Sequence, residues 1–274
     1  MVDTSGRATT GTSFAAESPW IRRAAQTYPR VRLVCLPFAG GGASVYQRLP
    51  ALLPPTVEVI AVQLPGREDR SREDPPTNLR SVVAAVAIAL YPYSSLPLAI
   101  YGHCAGALLG YEVTHELHRR YGVRVHRLLA GAQGAPHLST VLGGRTLHHL
   151  EDAKMLAEIE RRGGLPAPLR DHPELLAMLL PLLRSDFSLW ENYVHHPRPP
   201  MPVPVTTVRG ADDEFVDAAA ASAWGNHTSQ AADDVVVPGG HYFITSAGPE
   251  TAAVLADAAL ASIIPGMRDE RRIT

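Results

Sequence analysis

In the segment Leu98-Ala-Ile-Tyr-Gly-His-Cys-Ala-Gly106, an apolar strand pattern ends and a helical pattern begins, and this junction indicates the fold. Residues 98–101 are typical of a buried β-strand, and residues 105–121 have the apolar spacing of a helix. Only a very tight turn can join them, and Gly102 and Gly106 leave room beside that turn. Cys104 is thereby lifted to the start of the helix, where free N–H groups and the helix dipole favour an anion.

Short apolar strands continue to alternate with longer helical patterns on both sides of this turn. We predict further strands at 32–37, 57–62, 125–130, 206–209 and 235–237, and helices at 44–53 and 79–90. Strands that alternate with helices form a parallel sheet with helices on both faces. The sequence therefore predicts an α/β fold with a mostly parallel sheet.

The segment 147–198 interrupts this alternation, because it has no strand pattern. We predict helices at 152–162, 173–184 and 185–194, and we interpret them as a helical lid inserted into the core. The core is then assigned to residues 29–146 and 199–265. Residues 1–28 are predicted to be a disordered extension, and residues 266–274 a disordered tail.

Composition excludes several classes of protein. The 274 residues are 46% hydrophobic and carry a net charge of −2, which fits a soluble globular chain and lacks the basic excess of a nucleic-acid binder. Cys35 and Cys104 are too few for a disulfide scaffold, which predicts a cytoplasmic protein with reduced thiols. No apolar run has the length of a membrane span, and the N-terminus lacks the apolar stretch of a signal peptide.

The turn at Cys104 matches a known catalytic pattern. G-x-S-x-G between a strand and a helix is the nucleophile elbow of α/β-hydrolases, and here Cys stands in the Ser position. In that fold the acid and then the His follow the nucleophile along the chain. His241 follows the strand at 235–237, and the acidic residues after the strand at 206–209 are Asp212, Asp213 and Glu214. These residues are the candidate base and acid.

An acyl-transfer site also needs backbone N–H groups directed at the developing negative charge. We expect these from Ala105, next to the nucleophile, and from Ala39, in the loop after the first core strand. Gly40, Gly41 and Gly42 could instead form a phosphate loop, but neither G-x-x-x-x-G-K-[ST] nor G-x-G-x-x-G is present. His115-Glu-Leu-His118 is not the H-E-x-x-H zinc motif, so we predict no metal and no cofactor.

Most of the chain, from about Leu33 to Ile244, resembles the type II thioesterases, the stand-alone editing enzymes of polyketide and nonribosomal peptide assembly lines. The matching segments are LVCLPFAGGGASVYQRLPALLP, VEVIAVQLPGREDR, YGHCAGALLGYE, LPLLRSDFSLWENY and VRGADDEFV followed by VPGGHYFI. The motifs at 64–68 and 184–187 are more specific to this family than the elbow. The resemblance implies an α/β-hydrolase core with a flexible lid. It also favours Asp213 over Asp212, because Asp213 has the family's D-x-x-V spacing to Val216.

The resemblance implies a thioesterase that hydrolyses acyl or aminoacyl groups from the phosphopantetheine arms of carrier-protein partners, through Cys104, Asp213 and His241. We expect a monomer. The family usually has Ser and then Met where this chain has Cys104 and Ala105. Three interpretations of Cys104 are open. It is the native nucleophile of a hydrolase, or it indicates an acyl transferase that moves groups between carriers. In the third, it indicates an altered function, such as an engineered trap. A carrier-binding module without turnover is a further alternative.

Two charged or aromatic groups are predicted to be structural. Arg67, Glu68 and Arg70 are interpreted as an ion-pair cluster, since nothing in the sequence gives them a substrate role. In the lid, Asp186 accompanies aromatic residues at helical spacing, which pack against neighbours more often than they contact a substrate.

Overall fold

A computed structural model of the chain describes residues 13–138, 145–165, 169, 172–261 and 263. Its centre is an eight-stranded sheet with the spatial order β1-β2-β4-β3-β5-β6-β7-β8. The strands are β1 (Ala15–Ala16), β2 (Ile21–Ala24), β3 (Val31–Leu36), β4 (Val57–Val62), β5 (Leu98–His103), β6 (Arg127–Gly131), β7 (Val205–Gly210) and β8 (Ala232–Val237). All pairs from β4 to β8 are parallel, which confirms the predicted sheet.

Seven α-helices lie in the described residues, and they cover both faces of the sheet. They are α1 (Leu49–Leu52), α2 (Leu79–Leu90), α3 (Ala105–Tyr121), α4 (Asp152–Arg161), α5 (Pro173–Glu191), α6 (Ala218–Ser222) and α7 (Pro249–Leu260). Val86 of α2 and Leu108 of α3 belong to the core on one face, and Leu49 of α1 and Leu255 of α7 belong to the core on the other. Buried strands with two apolar faces explain why β4 and β5 contain almost only apolar residues.

The N-terminal segment differs from the prediction. Disorder over residues 1–28 is wrong for β1 and β2, which extend the sheet antiparallel to β4, with Ile21 paired to Val62. Ile21 is buried, and the guanidinium of Arg70 lies 4.5 Å from the centre of the Trp20 ring. These partners lie far along the chain, so no local pattern signals the strand. Residues 1–12 and the predicted tail 266–274 lie outside the described residues.

The described helices of the segment 147–198 differ from the predicted ones at one boundary. The predicted break between residues 184 and 185 is wrong, because α5 runs without interruption from Pro173 to Glu191. Ser185 lies inside this helix, and its hydroxyl donates a hydrogen bond to the Pro76 carbonyl instead of capping a new helix. Leu183 of α5 joins a small separate core with Met155 and Ile159 of α4. The role of this segment as a lid stays a prediction.

Candidate active site

Cys104 lies in a strained turn between β5 and α3. Its φ of 51° and ψ of −121° are unusual for a residue other than glycine. A Cβ on Gly102 would come within 2.0 Å of the Gly106 carbonyl oxygen, and one on Gly106 within 2.3 Å of the Leu36 carbonyl oxygen. The Cys104 N–H donates to the Gly131 carbonyl at 2.7 Å. The two glycines and this hydrogen bond hold the strained backbone, with the Cys104 side chain at the start of α3.

His241 and Asp213 meet in loops at the carboxyl edge of the sheet. His241 Nδ1 lies 3.0 Å from Asp213 Oδ2 and 3.2 Å from Oδ1, and both side chains are almost fully buried. Asp213 Oδ1 also accepts a hydrogen bond from the Phe215 N–H at 2.8 Å. Asp212 is exposed. The structure therefore brings His241 together with Asp213, the acid that the D-x-x-V spacing favoured.

The charges around His241 favour a protonated ring. Burial alone would lower its pKa, but the negative charge of Cys104 and the hydrogen bond with Asp213 raise the pKa of His241 to about 9. The pKa of Asp213 is lowered: burial would raise it, but the hydrogen bond and charge of His241, together with the backbone N–H groups of Phe215 and Val216, outweigh that effect. His241 Nε2 is buried, and no hydrogen bond of ordinary geometry reaches it from the described residues. The influence of Cys104 on the ring is therefore mainly electrostatic in this arrangement.

His103, to which no sequence pattern assigned a role, holds the backbone carbonyl of His241. Its Nε2 lies 2.8 Å from the His241 carbonyl oxygen, and its Nδ1 lies 2.7 Å from the Tyr101 hydroxyl. A carbonyl can only accept, so Nε2 carries the proton and Nδ1 accepts from the hydroxyl. Burial, together with the charge of His241, lowers the pKa of His103 to about 3, so the ring stays neutral. Its position inside the elbow motif was the only signal in the sequence.

The loop after β3 contains Ala39, one of the two predicted oxyanion donors. The Gly41 N–H donates to the Phe38 carbonyl at 2.9 Å, which closes a turn with Ala39 and Gly40 at its centre. The φ of +81° at Gly40 is the left-handed value that a type II turn requires at its third residue. Among the described residues, no protein acceptor is bonded to the N–H of Ala39 or of Ala105. Both groups are therefore available to a ligand.

The charged residues at 67–70 have separate partners, so they do not form the single predicted cluster. Arg67 pairs with Asp186 of α5 through two bonds of 2.7 and 2.9 Å. Arg70 pairs with Glu73, and Glu68 accepts hydrogen bonds from the Ser44 N–H and hydroxyl. The partnership of Arg67 with Asp186 was missed, because the two lie 119 residues apart in sequence.

Other features of the described residues lie apart from Cys104, Asp213 and His241. A groove of about 1450 Å³ opens between α2, α3 and α5, but none of Cys104, Asp213 and His241 lines it. No group of three or more His, Cys, Asp or Glu in the described part of the chain could hold a metal ion. Within the same residues, every helix is too short or too polar to cross a membrane.

Sequence comparison defines the class of protein to which this fold and site belong. The thioesterase domain family matches residues 31–258, which is most of the chain. The chain therefore belongs to the thioesterase family. It is a thioester hydrolase with the α/β-hydrolase fold.

Individual members of the family are similar to this chain over most of its length. The thioesterase PikA5 of Streptomyces venezuelae is 36% identical over 230 residues, which cover 82% of this chain and 80% of the relative. The linear gramicidin dehydrogenase LgrE of Brevibacillus parabrevis is 34% identical over 241 residues, which cover 87% of this chain and 90% of the relative. The solved structure of the type II thioesterase BorB, from the borrelidin biosynthetic cluster, is 30% identical with a TM-score of 0.76, covering 89% of this chain and 98% of that one.

The name of LgrE describes an oxidoreductase, and the sequence of this chain gives that chemistry no support. A Rossmann dinucleotide site uses the pattern G-x-G-x-x-G, which occurs nowhere in the 274 residues. The likeness to LgrE is therefore a likeness in fold and family.

Proposed function

We propose that this protein is a type II thioesterase that acts on acyl or aminoacyl groups carried by carrier proteins in polyketide or nonribosomal peptide biosynthesis. Cys104 is the nucleophile, His241 the general base and acid, and Asp213 the residue that orients His241. The N–H groups of Ala39 and Ala105 bind the oxyanion. The names of the relatives, which include proteins of gramicidin and borrelidin biosynthesis, support this assignment of substrate class.

The observation that carries the proposal is the buried hydrogen bond between Asp213 and His241, next to a cysteine in a strained turn. The bond of 3.0 Å occupies Nδ1 and fixes the orientation of the His241 ring, which leaves Nε2 for proton transfer. The raised pKa of His241 favours a protonated ring close to Cys104, which can supply the proton that a departing thiol needs. A binding module without turnover would have no use for this arrangement.

The proposed reaction has two halves that share the site. In the first, the Cys104 thiolate attacks the thioester carbonyl, the oxyanion is held by the two N–H groups, and the pantetheine thiol leaves with a proton from His241. In the second, His241 takes a proton from water, which attacks the acyl group on Cys104. The products are the free acid and the original Cys104. Asp213 stabilises the imidazolium without becoming protonated.

The cysteine keeps an acyl-transferase alternative open. An acyl group on Cys104 is itself a thioester, so its transfer to a second carrier thiol is nearly isoenergetic, whereas its hydrolysis is strongly favourable. Transfer therefore needs only that a carrier arm reach the acyl group before water does. We favour hydrolysis, because the family match extends over both the core and the helices between residues 147 and 198.

A competition assay tests the proposal. Carrier protein loaded with an acyl group is mixed with an equal amount of empty carrier that already has its phosphopantetheine arm. Free acid, acyl group on the second carrier, and acyl adduct on the enzyme are followed over time by intact-protein mass spectrometry. Hydrolysis predicts free acid as the main product, and transfer predicts accumulation on the second carrier.

Cys104→Ala is the matched control, because it removes the thiol and leaves the buried Asp213–His241 pair in place. This variant should form no adduct and release no acid above the uncatalysed rate. Turnover by Cys104→Ala at the unmodified rate would reject the assignment of Cys104. A stable complex with loaded carrier, with neither adduct nor acid from the unmodified enzyme, would favour a binding module.

A further inference from the structure

A buried ion pair joins helix α5 to the loop after β4. Arg67 donates two hydrogen bonds to the Asp186 carboxylate, from Nη1 to Oδ2 at 2.7 Å and from Nη2 to Oδ1 at 2.9 Å. Both side chains are almost completely buried, with 3% and 2% of their surface exposed. Such a planar, bidentate pair is directional, so it fixes the position of α5 relative to the loop after β4.

The same two side chains also hold the backbone of the loop after β3. Asp186 Oδ2 accepts a hydrogen bond from the Gly40 N–H at 2.7 Å, and Arg67 Nη1 donates to the Gly41 carbonyl at 3.1 Å. A Cβ on Gly40 would lie 2.4 Å from a methyl group of Leu183, so α5 packs directly against this loop. The three segments therefore meet at one buried point.

The geometry of the turn connects this point to Ala39. The Phe38 carbonyl points into the turn, because it accepts the Gly41 N–H. In a trans peptide the carbonyl and the following N–H point in opposite directions, so the Ala39 N–H is directed out of the turn. Asp186 holds the next peptide, through the Gly40 N–H, in the orientation that this turn requires.

We infer that Asp186 and Arg67 are positioning residues that assemble the oxyanion site when α5 is docked on the core. This inference rests on the proposed function, in which the Ala39 N–H binds the oxyanion. Asp186 supplies the acceptor that shapes the turn, and Arg67 balances the negative charge of Asp186, which would otherwise oppose an oxyanion forming nearby. Docking of the helix and completion of the site are then a single event. Substrate would enter while α5 is displaced and react only after α5 returns.

Two reactions of the same thiol distinguish this role from simple anchoring of a helix. Attack of Cys104 on a thioester forms an oxyanion. Alkylation of Cys104 by iodoacetamide forms a sulfur–carbon bond and releases iodide, so no oxyanion develops. Loss of a positioning residue should slow the first reaction and spare the second, whereas general disorder or an open site changes both. Cys35 is fully buried, so we expect iodoacetamide to reach its thiol only when the protein unfolds. Alkylation of Cys35 therefore reports unfolding in the same sample.

The test compares Asp186→Ala with Asp152→Ala. Asp152 is an exposed residue of α4 that pairs with Arg184 of α5, so its loss removes an ion pair to the same helix without touching the turn. Acylation of Cys104 by an acyl-pantetheine thioester is measured in a single turnover, and alkylation is measured in parallel. We expect Asp186→Ala to lower the acylation rate about 100-fold, as removal of an oxyanion donor does, and to change alkylation by less than about threefold. Asp152→Ala should change neither.

Asp186→Asn is the conservative variant. Its amide oxygen can still accept a hydrogen bond from the Gly40 N–H, but the side chain no longer forms the ion pair. Its acylation rate should therefore lie between that of the unmodified protein and that of Asp186→Ala. It also keeps the comparison decisive if Asp186→Ala fails to fold. Acylation at the unmodified rate in both Asp186 variants, or acylation and alkylation changing by the same factor, would overturn the inference.

Hydrogen exchange at the loop after β3 provides a readout that does not depend on turnover. The Gly40 N–H should exchange at least about tenfold faster in Asp186→Ala and at the unmodified rate in Asp152→Ala, since exchange reports local opening. If the unmodified enzyme forms no acyl adduct at all, the proposed function fails, and the exchange measurement alone decides whether Asp186 holds the turn. Unchanged exchange in Asp186→Ala would show that it does not.

Discussion

At the level of single residues, we expect the reaction to depend less on Asp213 with a cysteine nucleophile than it would with a serine. A serine hydroxyl must lose its proton to the His during attack, and replacing the Asp of a serine triad by Asn costs roughly 10⁴-fold in turnover. A thiol is a better nucleophile than a hydroxyl and loses its proton more readily, so it needs less help from the His and Asp. Asp213 should therefore be less critical here than in a serine enzyme.

We predict that Asp213→Asn lowers turnover less in the native protein than in the Cys104→Ser background. The measurement is the rate of free acid release from an acyl-pantetheine thioester in four proteins: the native chain, each single variant and the double variant. An equal or larger loss when Cys104 is present would contradict this prediction. It would show that Asp213 acts on more than the proton balance of His241.

The titration of His241 gives a second prediction at this scale. The charge of Cys104 is the largest effect that raises its pKa, so Cys104→Ala should bring the pKa of His241 down from about 9 towards its ordinary value of 6.5. Ring proton shifts followed by NMR between pH 5 and 10 measure this directly. His103, with a pKa lowered to about 3 by burial, should not titrate in that range and serves as the internal control. An unchanged His241 titration in Cys104→Ala would rule out the electrostatic link.

The same shift affects stability, with a definite sign. Because the pKa of His241 is higher in the folded chain, protonation of its ring favours folding. This contribution is fully present below pH 6.5, the ordinary value for histidine, and is lost as pH rises through about 9. The free energy of unfolding should therefore decline between these two values, and the decline should be smaller in His241→Gln.

At the level of secondary-structure elements, the turn between β5 and α3 depends on contacts that only glycine permits. We predict that Gly102→Ala lowers the free energy of unfolding by about 3 kcal/mol or more, since the new Cβ would lie 2.0 Å from a backbone oxygen of α3. Chemical denaturation measures this loss.

Gly122→Ala is the matched control at the other end of the same helix. Gly122 has a φ of +64° with nothing within 4 Å of a new Cβ, so only the left-handed backbone penalty of about 1 kcal/mol applies. Similar losses in the two variants would mean that β5 and α3 can separate at little cost. The tight elbow would then not be a rigid support for Cys104.

At the level of the whole molecule, we propose that the helices between residues 147 and 198 act as a lid that controls what reaches Cys104. Cys104 is only 8% exposed, and Leu183 of α5 packs against the neighbouring loop, so we expect a carrier arm to reach Cys104 when α5 moves away. Whether the acyl group ends on water or on a second carrier is then a competition for one entrance.

We predict that Cys104→Ser keeps or raises the hydrolysis rate, because it restores the oxygen ester intermediate usual in the family with the same His241 and Asp213. The measurement is the ratio of free acid to transferred acyl group in the presence of an acceptor carrier. A native enzyme that produces little free acid and loses carrier-to-carrier transfer on Cys104→Ser would overturn the choice of hydrolysis.

Much of this molecule is determined by local patterns in the sequence. The bounds of β4, α2 and α3 agree with the predicted residues, because buried strands and amphipathic helices carry their own periodicity. The elbow is equally local, since two glycines four residues apart leave the chain only one way to turn so sharply. Asp213 and His241 were found as candidates because they follow the strands β7 and β8, where the acid and the His of this fold are expected.

Contacts between segments that are far apart in sequence are visible only in the tertiary structure. Strand β2 was missed because its hydrogen-bond partners belong to β4, and a short segment with two arginines has no apolar alternation of its own. The pairing of Arg67 with Asp186 was missed because a charged residue in a sequence does not show which opposite charge it will pair with. Burial of both groups becomes favourable only once α5 lies on the core. Local sequence patterns thus specify the elements and the elbow at Cys104, whereas long-range packing specifies the partners that surround it.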